Sequence, residues 1–264
     1  MPDERLDAIL LGGGPSLEMV TQELLDRVPC ITMAINHHAH AHGLFTDQFV
    51  TVDGPQKTHS EGPEIGKHIS DVLHEPGTIK WYRNRFLEDE ILRDAPAVRG
   101  FPTGYNLKPK DYFTSEHIYC GESRFDDEYD GPGWRFFHMS SFFPPFRLLY
   151  DQGVRRIWMF GVDFDEPLSL RFCLISEQFN RLRPVFEEAG LEVYNCNPDS
   201  YLPAFPHAPF PASYEVYRHD RRVEPHELTK CAWRNPDPDF EPGPERTGRE
   251  DAGDPYSATI AALI

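Results

Sequence analysis

The stretch Ala8-Ile9-Leu10-Leu11-Gly12-Gly13-Gly14-Pro15-Ser16 decides how this chain is read. Four apolar residues in a row fit a strand buried on both faces, as in a parallel sheet. Three glycines end the run, and beyond them Leu17, Val20, Leu24, Leu25 and Val28 recur at helical spacing. That pattern predicts an amphipathic helix over 17–28. Strand, glycine turn and helix in this order open a nucleotide-binding α/β unit.

Working outward, Ile31-Thr32-Met33-Ala34-Ile35 predicts a second strand ending at Asn36, and Gln48-Phe49-Val50-Thr51-Val52 a third ending at Asp53-Gly54-Pro55. A helix is expected from Ser140 through Tyr150 to Gly153, then a buried strand over Arg156–Asp163. A second helix from about Ser176 to Ala189 stops at Gly190, and Leu191–Asn195 reads as a closing strand. The expected fold class is α/β: a Rossmann-like, mostly parallel sheet flanked by helices. Residues 99–137 are rich in Gly, Pro and aromatics without clean periodicity and read as an irregular lid. One transferase-like domain is expected over 1–234. Residues 235–264 carry seven acids against Arg246 and Arg249, with five prolines, and read as a disordered acidic tail.

Composition narrows the function. The formal net charge of −17 repels duplex nucleic acid and anionic membranes, so general nucleic-acid binding is excluded. No apolar run is long enough for a membrane span, and the acidic start is no signal region, so a cytoplasmic protein is expected. Five scattered cysteines (30, 120, 173, 196 and 231) without a CxxC pair read as free thiols in a reducing compartment. The apolar end Ala258–Ile264 offers a segment for docking on a neighbour, consistent with a homo-oligomer.

The residues that point to chemistry lie at strand ends. Gly12, Gly13 and Gly14 let the backbone approach a phosphate, and Ser16 either caps the following helix or donates to that phosphate. The turn is neither a Walker A loop nor a complete GxGxxG. Asn36 and Asp53 end the next strands and face the same crevice, suited to a base edge and a ribose hydroxyl. Ser140 and Ser141 precede a helix and offer hydroxyl and N–H donors to a carboxylate or phosphate. His138 or Asp163 is the candidate base. The run His37-His38-Ala39-His40-Ala41-His42 has no acidic or Cys ligand within it and reads as a polar loop rather than a metal site. Asp126–Asp130 reads as a solvated loop.

Together these pieces resemble the bacterial CMP-sialic-acid-dependent sialyltransferases and the related 6-hydroxymethylpterin diphosphokinase-like proteins. The resemblance rests on Leu11-Gly12-Gly13-Gly14-Pro15-Ser16-Leu17, on Asn36 and Asp53-Gly54-Pro55, on Ser140-Ser141 with the strand Arg156–Phe164, and on Val193–Leu202, which is similar to the family's "CPNSLL" turn. It implies a lid over a nucleotide held by the Gly12–Ser16 turn, Asn36 and Asp53. Ser140 and Ser141 would face the donor's carboxylate or phosphate, and Asp163 would close the strand beside the site.

The chain departs from the sialyltransferase pattern at several points. Asp53 stands in place of Asn, Phe142 in place of a small Gly, and the family's phosphate-steadying tyrosines are absent after Phe164. Residues 165–193 contain no histidine where those enzymes carry their base. The expected function is a nucleotide-sugar-dependent glycosyltransferase with a CMP- or UDP-linked donor. The alternatives are an ATP-dependent diphosphokinase needing Mg²⁺ at Asp163 or Asp126–Asp130, and a nucleotide-binding or assembly protein without catalysis.

Overall fold

Alternation along the first strand explains the layering. Ala8 and Leu10 pack into one apolar cluster, Ile9 and Leu11 into a second on the opposite face, and all four are fully buried. A strand covered on both sides needs helices on both sides, which is what the computed structural model contains. The structure describes residues 6–55, 71–104, 108–121, 123–124, 136–137, 140–164, 170–200, 202 and 204–210. His138, Asp126–Asp130, residues 235–264 and most of 122–135 lie outside them.

Seven strands form one sheet among the described residues: β1 (Leu6–Leu11), β2 (Ile31–Ile35), β3 (Gln48–Val50), β4 (Ile79–Arg83), β5 (Val98–Phe101), β10 (Val154–Phe160) and β11 (Glu192–Asn195). Their order is β11-β10-β1-β2-β3-β4-β5, and every neighbouring pair is parallel. Two-residue strands make two side ribbons: β6 (Thr103–Gly104) with β7 (Ile118–Tyr119), and β8 (Ser123–Arg124) with β9 (Phe136–Phe137). The α/β reading with a mostly parallel sheet and flanking helices holds.

One face is covered by α4 (Pro144–Asp151) and α5 (Leu170–Glu188), which bring Phe146, Leu149, Phe179 and Phe186 onto Ala8, Leu10, Met33 and Ile157. The other is covered by a 3-10 turn (Pro15–Met19), α1 (Gln22–Arg27) and α2 (His38–Ala41), through Leu17, Leu25 and Ala39. The remaining short helix, α3 (Glu90–Arg93), packs Leu92 with Phe49 and Tyr82.

Three local expectations are corrected. The single helix over 17–28 is broken at Val20, because Thr21 takes the N-cap of α1 by accepting a hydrogen bond from Leu24 N (3.2 Å). The histidine run is a helical turn with Ala39 buried rather than a polar loop. Part of the expected lid belongs to the core: Phe101, Tyr112, Ile118, Tyr119 and Cys120 are at most 2% exposed, and Tyr112 donates its hydroxyl hydrogen bond to the Phe143 carbonyl.

No helix among the described residues is long and apolar enough to cross a membrane. Cys30, Cys120 and Cys196 are free, buried thiols.

Candidate functional site

β1 and β10 are neighbours, yet β1 leads to β2 on one side while β10 leads to β11 on the other. Where successive connections diverge like this, a crevice opens beyond the strand C-termini, and ligands of open α/β sheets bind there. Gly12–Ser16 leaves β1 at this point, and Gly161–Phe164 leaves β10.

The two segments are stapled together. Ser16 N donates to Asp163 Oδ2 (2.6 Å), and Ser16 Oγ donates to Asp163 Oδ1 (2.6 Å) while accepting from Gly161 N (2.7 Å). Gly12 N donates to Phe160 O and Gly14 N to Gly161 O, both at 2.7 Å. A carboxylate therefore occupies the donor nest at the start of the 3-10 turn, the kind of place where helix N-termini take anions. Of the donors expected to meet a ligand phosphate, those of Ser16 meet Asp163 and the Gly14 N–H meets Gly161 O instead. At 2% exposure, with a hydrogen bond on each oxygen, Asp163 holds the turn in shape and is not open to an acceptor as a base.

Each glycine is explained by what lies against it. A Cβ on Gly12 would come 2.2 Å from Gly161 O, one on Gly13 2.5 Å from the His38 ring, and one on Gly14 2.6 Å from Asp163 Oδ2. The turn is thus sandwiched between an imidazole and a carboxylate. Gly13 and Pro15 are exposed and Gly14 is half-buried, whereas Gly12 and Ser16 are buried.

Asn36 lies across the crevice at the end of β2. Its N–H donates to Val50 O (3.0 Å), which continues the ladder, and its φ of 58° then turns the chain out of the sheet. Asn tolerates this left-handed region better than most residues. Its Oδ1 is buried with no hydrogen-bond partner among the described residues. His37 (8% exposed) and His38 (exposed) follow, with ring centroids stacked 4.4 Å apart.

Asp53 is half-buried beyond β3, with its N–H on Thr51 Oγ1 (3.1 Å). Comparisons of the chain with protein-family models, curated proteins and solved structures find no match. The site is therefore read from its own geometry.

Ser140 and Ser141 are buried beside this edge. Ser141 Oγ accepts from Val52 N (3.1 Å), tying the end of the β3 segment to the approach to α4. Ser140 donates its N–H to Cys120 O (2.8 Å), and its Oγ accepts from Phe142 N (3.2 Å). Neither serine caps α4. Phe143 stands at the cap without a side-chain bond, and Pro144 at the first position needs no partner for a missing N–H. Phe142 packs edge-on against Phe164 (5.3 Å), which stacks on Phe172 (4.7 Å). Phe164 has φ 50°, rare for a bulky residue, so backbone strain sits where the chain leaves β10.

The geometry thus brings together Gly12–Ser16, Asn36, Asp53, Ser140, Ser141 and Asp163 along one edge of the sheet. Sequence reasoning missed two residues of this edge. His38 was hidden in a run of similar histidines. Arg83, at the end of β4, is only 1% exposed and lies 5.6 Å from the Phe86 ring centroid. Its charge acts against the burial that pushes the Cys120 thiol up to about 12. Among the described residues, no group of three or more His, Cys, Asp or Glu is placed to hold a metal ion.

Proposed function

We propose that this protein is a nucleotide-sugar-dependent glycosyltransferase, sialyltransferase-like in its plan, that binds a CMP- or UDP-linked donor in the crevice beyond β1, β2, β3 and β10. What carries the reading is the convergence at the point where the sheet's connections diverge. The Gly12–Ser16 turn, Asn36, Asp53, the Ser140–Ser141 pair and Asp163 come from five separate parts of the chain. Side chains with hydrogen-bonding capacity at the C-terminal edge of a doubly wound sheet suit a nucleotide.

In this scheme the Asn36 amide and Asp53 carboxylate meet the base and ribose, and the exposed face of Gly13 meets the sugar phosphate. The acceptor oxygen forms a bond to the anomeric carbon as the bond from that carbon to the phosphate oxygen breaks. The electron pair leaves with the nucleoside phosphate, and the acceptor proton passes to a base.

Isothermal titration and thermal shift with CMP, CTP, UDP and ATP, each with and without Mg²⁺, test the proposal. Metal-independent binding of CMP or UDP is expected. Asn36→Gly, which keeps the left-handed backbone and removes the amide, should fold normally and bind at least tenfold more weakly. Binding of ATP alone, and only with Mg²⁺, would replace this reading with pyrophosphate transfer. No response to any nucleotide would leave a protein that keeps the fold for assembly or binding of another kind.

A further inference from the structure

The proposed transfer needs a proton acceptor at the Gly13 face of the crevice, and Asp163 does not serve: both its oxygens are held by Ser16 and it is 2% exposed. We infer that His38 is the general base of this site, an inference that rests on the transferase reading above.

Its imidazole lies directly against the one exposed glycine of the turn, so close that a Cβ on Gly13 would come 2.5 Å from His38 Cγ and 2.6 Å from Cδ2. Three features hold it there. The left-handed Asn36 ends β2 right after its last ladder bond and sends the chain back toward the turn. His37, buried, supplies a flat surface stacked at 4.4 Å and 29°. α2 packs down through Ala39, which is fully buried, and leaves His38 exposed at the first position of the helix. An accessible histidine packed beside the exposed glycine of the turn is placed to reach an acceptor that approaches that backbone. Imidazole is the side chain most often used for such proton transfers.

The step balances. The acceptor hydroxyl gives its proton to an imidazole nitrogen of His38 as its oxygen bonds to the anomeric carbon, and the phosphate departs with the former glycosidic electron pair. His38, now an imidazolium, stands beside a departing dianion. It thereby supplies positive charge that the Ser16 donors, committed to Asp163, do not.

The test uses donor hydrolysis, in which water replaces the acceptor. Release of CMP or UDP from CMP-sialic acid and from UDP-hexoses is followed from pH 5.5 to 8.5 for the unmodified protein, His38→Gln, His38→Asn and His138→Gln, with His42→Gln as the exposed control. Titration with CMP and UDP and melting temperatures are measured alongside. The inference expects both His38 variants to fall about 100- to 10,000-fold in turnover. Nucleotide binding and melting temperature should be kept, the acidic limb of the pH profile should vanish, and His42→Gln should be unchanged. Turnover that survives in the His38 variants, or that is lost in His138→Gln instead, overturns His38 and leaves the transferase reading in place. Nucleotide binding without turnover in the unmodified protein overturns both base and transfer but keeps the nucleotide site. Absence of binding overturns all three.

Discussion

Ser16→Ala is the most direct probe of how the crevice is built. The Ser16 hydroxyl sits between two buried groups, donating to Asp163 Oδ1 at 2.6 Å and accepting from Gly161 N at 2.7 Å. Removing it deletes a charge-assisted bond, about 1.5–3 kcal/mol, and leaves the Gly161 N–H buried without a partner, about 1–3 kcal/mol more. The remaining bond from Ser16 N to Asp163 Oδ2 anchors the carboxylate on one oxygen only. The expected loss is therefore about 3–5 kcal/mol. At ~3 °C per kcal/mol for a domain of this size, the melting temperature should drop by ~10–15 °C. Equilibrium unfolding in urea gives the free energy, and calorimetry gives the shift. Ser16→Thr, which keeps the hydroxyl, should recover most of the loss. A double-mutant cycle with Asp163→Asn should show a coupling above about 1.5 kcal/mol. A loss under about 1 kcal/mol in Ser16→Ala, or simple additivity in the cycle, would refute the idea that this pair closes the β1–β10 junction.

Other perturbations test neighbouring claims. Gly12→Ala would place a Cβ 2.2 Å from Gly161 O and 2.7 Å from Gly161 C, both rigid backbone. Because the 2.7 Å bond from Gly12 N to Phe160 O must give way, a loss of at least about 3 kcal/mol is expected in denaturant unfolding. Thr21→Ala removes the α1 cap and should cost about 1 kcal/mol, with Thr21→Ser close to the unchanged protein. At alkaline pH, burial pushes the thiols of Cys30, Cys120 and Cys196 up, the latter two to about 12 from a usual 9.0. Stability from these buried neutral thiols is complete below pH 9 and is lost as the pH rises toward 12, at up to ~1.4 kcal/mol per pH unit for each. Lys80 runs the other way. Burial pulls it down to about 8 from 10.5, so its contribution rises with pH across that window. Three thiols outweigh one amine, and chemical denaturation from pH 7 to 11 should show a maximum near pH 8–9 followed by a steep fall. Cys→Ala at position 120 should flatten that fall.

Five strands of the sheet were legible: β1, β2 and the second half of β10 are apolar enough on both faces for their burial to be visible in the residues themselves, and β3 and β11 are short runs with apolar residues that end at polar positions. β4 was not, although it is equally deep. Its sequence, Ile79-Lys80-Trp81-Tyr82-Arg83, carries two cations that read as surface, yet Lys80 is 0% and Arg83 1% exposed. Lys80 is tolerated inside because its ammonium donates to the carbonyls of Glu75 and Pro96 (3.0 Å to the latter). Such long-range satisfaction has no local signature. The break at Val20 has the same origin in reverse. Helical spacing over 17–28 is real, but a local bond from Leu24 N to the Thr21 hydroxyl competes with it and wins. The core role of Tyr112 and Tyr119 was masked by the irregular sequence around them, since aromatic clusters are sorted by tertiary packing and not by period. At the site, positions at strand ends could be read because parallel topology gathers them on one edge. The partners could not, because Ser16 and Asp163 are 147 residues apart.

That pairing changes what three consecutive glycines mean here. A glycine turn states that something approaches the backbone closely; it does not state what. In this chain Gly12 makes room for Gly161, Gly14 for Asp163 and Gly13 for His38, so all three are accounted for by the protein's own groups. The carboxylate in the nest fixes the turn's shape without lending the site positive charge, and it would repel a second anion placed in the same donors. An anionic leaving group is then better placed on the open side of Gly13, away from Asp163. In the proposed transfer, charge compensation there would be supplied by a group that becomes positive during the reaction. A histidine that takes up the acceptor's proton does so at the moment the phosphate departs. In the proposed transfer this would couple the two ends of the reaction through one side chain, which suits a protein of net charge −17.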